Sequence, residues 1–120
     1  MRATLAKVLT KEAFDQMIPM AERWTAGVEK AIADFSVPWH VTRLGCRAEY
    51  LFSPNRPKNG TEAHDAMDFE LERFVHLYAM NRGILLTPFH NMALMSPATS
   101  KEDVDHHSRV FREAVKELVG

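Results

Sequence analysis

Apolar residues recur at Phe14, Met17, Ile18, Ala21, Trp24, Val28, Ile32 and Phe35, three and four positions apart, while the opposite face carries the charges. That period predicts one long amphipathic helix, because 3.6 residues per turn bring these side chains onto a single stripe. Thr10 is placed to cap it, its hydroxyl accepting from an otherwise orphaned backbone N–H, with Glu12 and Asp15 in the positive first turns. Pro19 lacks a backbone donor and presses on the preceding turn, so a kink or short break is expected over Gln16 to Pro19. Ahead of this helix, residues 1–9 read as a separate stub with Leu5, Val8 and Leu9 as its apolar face. Having no cap before it, the stub is expected to be a connecting helix cut in mid-course.

Val37-Pro38 ends the helical stretch, and the period then changes to two. Trp39 and Val41 alternate on odd positions, whereas Leu44, Cys46, Ala48, Tyr50 and Phe52 alternate on even ones. A phase flip beside Gly45 predicts a bulge or a turn between two strands. Ser53 to Gly60 is dense in turn formers and reads as a mobile loop. Leu71, Phe74, Val75 and Tyr78 predict a helix beginning near Glu62, with Gly83 as its left-handed cap. Ile84-Leu85-Leu86 and Met92 to Met95 are then expected to be brief strands joined by the turn Thr87-Pro88-Phe89-His90-Asn91. Ser100 and Asp103 form a capping-box pair ahead of a closing helix, whose stripe is Val104, His107, Phe111, Ala114, Val115 and Leu118. The sum is a single α+β domain over residues 1–120: a small, mostly antiparallel sheet packed by long N-terminal, middle and C-terminal helices.

Composition narrows the function more than the fold. Fifteen basic against sixteen acidic residues leave a formal charge of -1 with no basic block, which argues against nucleic acid as partner. No apolar run approaches the roughly 20 residues of a membrane span, and no signal-peptide core follows the N-terminus, so a cytoplasmic protein is expected. The single cysteine, Cys46, excludes an internal disulfide and a thiolate zinc cluster. On the apolar phase of its strand, Cys46 reads as a buried structural thiol.

Six histidines invite a metal site, yet adjacent His106 and His107 point about 100° apart on a helix, and no His-x-x-x-His pair shares a face. No metal site is therefore assigned, and the absence of glycine-rich phosphate loops and of Gly-x-Ser-x-Gly removes the corresponding catalysts. Two groups remain as candidate substrate-binding residues. Arg43 and Arg47 flank the phase break, where two guanidinium forks could grip a carboxylate, against the plainer reading of solvated strand residues. Thr87, His90 and Asn91 lie on the turn between the brief strands, where functional side chains concentrate, or are simply an ordinary turn.

Three ordered segments carry a resemblance: Asn81-Arg82-Gly83-Ile84-Leu85-Leu86-Thr87-Pro88, then Leu94-Met95-Ser96-Pro97-Ala98-Thr99, then Glu102-Asp103-Val104-Asp105. Together with Arg43-Leu44-Gly45, Tyr50 and Phe52 they resemble the C-terminal small domain of class III aminotransferases, in the family's order over nearly the whole chain. The resemblance implies fold type I, pyridoxal 5'-phosphate (PLP) as cofactor of the parent enzyme, and a homodimer partner. It further implies that the PLP lysine, and the aspartate facing the pyridine nitrogen, lie in a large domain that this chain lacks. No catalytic or cofactor-binding residue and no bound cofactor are then expected here, and the chain alone should be inactive. Its part would be to close over the active site and contact a small amino acid substrate. Thr87 stands where many ω-aminotransferases of the family carry a carboxylate-binding arginine, which places the likeness nearer the branch of glutamate-1-semialdehyde aminomutases and β-amino-acid aminotransferases. The acidic residue those aminomutases carry after the turn aligns with Met92, which counts against aminomutase activity. A chain parted from such a partner is expected to self-associate or to swap its N-terminal helix. The competing reading is a free-standing α+β module that binds a small ligand or a protein.

Overall fold

Two long helices, α2 (Lys11–Phe35) and α5 (Lys101–Val119), pack together across one face of a three-stranded sheet, in a computed structural model that describes residues 1–87 and 90–120. The sheet is antiparallel throughout, in the order β1 (His40–Leu44), β2 (Arg47–Leu51), β3 (Met92–Leu94). Three shorter helices complete the set: α1 (Arg2–Lys7), α3 (Gly60–Asp65) and α4 (Phe69–Met80). This is the expected α+β architecture.

The register explains which side chains enter the core. Val41 pairs with Tyr50, Arg43 with Ala48, and Ala48 in turn with Ala93, so these residues share the face turned to the helices. Trp24, Val28 and Ala31 of α2, Val75 of α4, and Val104, Phe111 and Val115 of α5 close over Val41, Ala48, Tyr50 and Ala93. Trp24 and Tyr50 stack with ring centroids 5.9 Å apart, and Tyr50 lies 4.7 Å from Phe111. Each such ring removes enough apolar surface from water to stabilise the fold by about 1.5–3 kcal/mol. Gly27 allows α2 and α5 to approach, since a Cβ there would overlap Ser108.

The helix ends follow the sequence signals. Thr10 accepts from the N–H of Ala13 (3.3 Å), and Ser100 with Asp103 forms the full capping box. Gly83 takes φ +79° and its N–H donates to the Met80 carbonyl, while the Ile84 N–H reaches the Ala79 carbonyl. That is a Schellman closure of α4.

Four expectations change. The long helix runs through Pro19 without a break, because Met17, Ala21 and Trp24 on its buried face hold the path and the exposed proline merely leaves the Asp15 carbonyl without its helical donor. Of the two alternatives expected at the phase flip the turn is the one found, a two-residue hairpin at Gly45-Cys46 with Gly45 at φ +59°, the position a type II′ turn gives to glycine, and what changes is the place of its neighbours. Cys46 accordingly sits at the turn, partly exposed, and Leu44 faces outward at 81% exposure instead of joining the core. The helix expected from Glu62 is two, since Asp68 accepts from the N–H groups of Glu70 and Leu71 and starts a new one. Finally, Ile84 to Leu86 form no strand, so β3 alone represents the expected pair; Pro88 and Phe89 of the intervening turn lie outside the described residues.

Candidate functional site

The face of the sheet away from the helices carries Thr42 and Leu44 from β1, Arg47, Glu49 and Leu51 from β2, and Met92 and Leu94 from β3, as the register requires. An antiparallel sheet can leave one face to water, and that face is then polar. Here Leu44 and Leu94 stand 81% and 60% exposed on either side of Arg47, with Leu85 exposed in the segment before β3.

At the α4 end of this face the chain forms a cleft of two adjoining cavities. One, of about 310 Å³, lies between β2 and the pair α3 and α4; Arg47, Glu49, Tyr50, Phe52, Met67 and Glu72 are among its walls. The other, of about 340 Å³, is bounded by Phe69, Arg73, His76, Leu86 and Thr87. Glu72, His90 and Asn91 border both.

Within the cleft the charges are unevenly matched. Glu49 faces two basic side chains: Arg47 Nη2 donates to it at 3.4 Å, and His90 Nδ1 stands 3.6 Å away. Among the described residues no ion pair engages Glu72. Burial raises the Glu72 carboxyl above the usual carboxylate range, Asp68 and Glu49 push the same way, and His90 opposes them. Tyr50 presents a second unmatched group. Its hydroxyl is buried with no hydrogen-bond partner among the described residues, and its pKa is driven far up by burial and by the charge of Glu72.

Of the five residues singled out from sequence, Arg47, Thr87, His90 and Asn91 border this cleft. Asn91 is 8% exposed, and its carbonyl accepts from the Tyr50 N–H at 3.2 Å. Arg43 goes elsewhere. Opposite Ala48 it belongs to the helix-facing side, donating to Glu22 (3.3 Å) and to the Gly45 carbonyl (3.1 Å). Arg43 and Arg47 thus leave opposite faces of the sheet, and a joint grip on one carboxylate is not built. Glu49 and Glu72 were not legible as site residues. Glu72 does lie one turn before buried Val75, on the shoulder of the α4 stripe, which is the available signal.

The other candidate chemistry is structural. His107 packs against Trp24 (centroids 5.0 Å), and burial lowers its pKa to about 4, while His106 turns outward and places Nε2 2.8 Å from the Arg82 carbonyl. Among the described residues no three His, Cys, Asp or Glu side chains converge as a metal would need. All six lysines are exposed, and none borders the cleft; Lys11 and Lys30 pair with Asp15 and Asp34. No helix among the described residues is long and apolar enough to cross a membrane.

No family model matches the chain. Among curated proteins it is similar to the glutamate-1-semialdehyde 2,1-aminomutases of Chlamydia trachomatis serovars L2 and D, 25% identical over 108 residues, covering 88% of this chain and 25% of theirs. Among solved structures it is similar to a glutamate-1-semialdehyde aminomutase from Pseudomonas aeruginosa PAO1, with a TM-score of 0.95 and 51% identity over 98% of this chain and 26% of that one. The same values hold for a lysine-to-alanine variant of that aminomutase in complex with PMP. An ω-transaminase from Sphaerobacter thermophilus matches at TM-score 0.78 and 24% identity, covering 93% of this chain and 26% of its own, which shows a shared fold. The resemblance to aminotransferases of PLP fold type I therefore holds, and the chain spans about a quarter of the length of the relatives it matches.

Proposed function

We propose that this chain is the C-terminal small domain of a class III, PLP-dependent aminotransferase, a cytoplasmic homodimer that moves an amino group between an amino acid and a keto acid or aldehyde. The observation that carries the reading is the likeness to the Pseudomonas aminomutase, which holds over 98% of this chain at 51% identity yet engages only 26% of the relative. PLP, when bound in such an enzyme, supplies the electron sink for amino-group transfer. The exposed lysines support placing its anchoring lysine in the remaining three quarters. Two features support a closing role: the apolar sheet face around Leu44 and Leu94 gives a large domain something to cover, and the adjacent cleft brings Arg47, Thr87, His90 and Asn91 to its margin. Arg43, engaged by Glu22 on the other side of the sheet, is assigned no substrate contact in this reading.

The test is reconstitution. The Pseudomonas relative shortened by the matching quarter is mixed with this chain, and amino-group transfer is followed with a panel of amino acid donors. Activity in the mixture, with neither part active alone, is expected. Equal turnover by the shortened relative without the chain would overturn the reading. So would one borohydride-fixed PLP per molecule of this chain alone, found on a lysine by mass spectrometry.

A further inference from the structure

We propose that the 310 Å³ cavity between β2 and the pair α3 and α4 is a receptor for a primary alkylammonium group, with Glu72 as its charged partner. Three observations converge on this ligand. Of the basic side chains lining the cavity, Arg47 and His90 both face Glu49 and His64 makes no ion pair, and Glu72 is likewise left without one among the described residues. The Tyr50 hydroxyl, which feels the charge of Glu72, is fully buried and lacks a hydrogen-bond partner among the described residues, and a buried hydroxyl in that condition costs stability until a partner arrives. Phe52, Ala63, Ala66 and Met67 add an apolar stretch of wall suited to methylenes, interrupted by His64 and Asn91.

An ammonium group presents three donors and no acceptor. Glu72 and Glu49 offer carboxylate oxygens, and Tyr50 brings to the same wall a phenolic oxygen without a partner among the described residues. A carboxylate ligand would instead meet two carboxylates and a guanidinium already engaged. The raised pKa of Glu72 follows from the same arrangement, because burial and the neighbouring Asp68 and Glu49 penalise its charge and His90 relieves it only in part. A bound cation removes that penalty, so amine binding weakens as pH falls through the raised carboxyl value of Glu72. That the ammonium belongs to the distal end of a transaminase substrate rests on the function proposed above; its binding to this cavity does not.

Titration of the 120-residue chain with 1,5-diaminopentane, followed by amide chemical shifts, tests the proposal, with sodium chloride at equal ionic strength and glutarate as controls. Saturable shifts are expected at Ala63, Met67, Glu72 and Asn91. Glu72→Gln should weaken binding about tenfold, because the charge-assisted hydrogen bond is lost, and Tyr50→Phe less so. Absence of saturation, equal affinity in Glu72→Gln, or glutarate binding in place of the amine would overturn it. Should Glu72→Gln lose its dispersed spectrum, Tyr50→Phe, which conserves the ring, carries the comparison, and unchanged affinity there counts against the site as drawn. Amine binding with an inactive reconstituted mixture would remove the transaminase reading and leave the receptor. Activity without amine binding would do the reverse.

Discussion

Replacing Gly27 with alanine sets two effects against each other at the contact between α2 and α5. In an isolated helix the change gains about 1 kcal/mol, because alanine loses less backbone entropy than glycine. At this position the new Cβ would overlap Ser108 Oγ and stand 2.9 Å from Ser108 Cβ. The hydroxyl can swing away only by giving up its 3.1 Å hydrogen bond to the Val104 carbonyl, worth about 1 kcal/mol. The Cβ pair cannot be relieved by rotation, so the two helices must part by roughly half an ångström, with an overpacking cost of about 1–3 kcal/mol. Packing around Trp24, Val28, Val104 and Phe111 would loosen with them. The net expectation for Gly27→Ala is a loss of about 1–2 kcal/mol, read as a lower urea midpoint at unchanged slope. In a Ser108→Gly background the obstruction is gone and the same change should stabilise by up to about 1 kcal/mol. A stabilising Gly27→Ala on its own, or an equal cost in both backgrounds, would refute the claim that close approach governs this helix pair.

Pro19→Ala should raise stability by about 1–3 kcal/mol, since the exposed proline withholds a donor from the Asp15 carbonyl inside a continuous helix; a thermal melt checks it, and a lower midpoint would contradict it. Ser100→Ala should cost about 1 kcal/mol by removing the hydroxyl that accepts from the Asp103 N–H, seen by denaturant titration. Stability should also fall with acid through His107, whose folded pKa of about 4 lies below the ordinary value of 6.5. The unfolded imidazole takes its proton first, so the contribution is complete above pH 6.5, declines below it and is gone near pH 4, a span of about 3 kcal/mol that a His107→Phe variant should not show.

The elements most legible in the sequence were those fixed by local chemistry. Thr10, Ser100 with Asp103, and Gly83 each satisfy orphaned backbone groups within a few residues of themselves, and the structure uses all of them as caps or closures. Where the outcome depended on partners distant in the chain, local reading went astray. Pro19 promised a kink or a short break, but the helix continues through it with Met17, Ala21 and Trp24 buried on one face. Alternation put Leu44 in the core by counting evenly through Gly45, whereas the hairpin turn reverses the chain there and leaves Leu44 opposite Arg47 on the outer face. Ile84 to Leu86 had the composition of a strand and found no strand to pair with.

The candidate site divides along the same line. The turn residues His90 and Asn91 could be suspected because a polar connection between apolar runs is a frequent place for function, and Arg47 because it is a cation beside a phase break. Glu49 and Glu72 could not, since one reads as the ordinary polar position of a strand and the other as the ordinary flank of a helix stripe. Their meaning arises when β3 joins β2 and brings His90 against Glu49, which occupies the cationic side of the cavity and isolates Glu72 beside the Tyr50 hydroxyl. The unmatched carboxyl is therefore a product of topology, 20 residues ahead of the start of the strand that creates it. An exposed Leu44 and Leu94 on the same face follow from the same pairing. A sheet that turns leucines outward beside an unpaired, partly buried carboxyl is incomplete in two respects, one apolar and one ionic. The first calls for a covering domain and the second for a cationic ligand, and they adjoin because the same three strands build both.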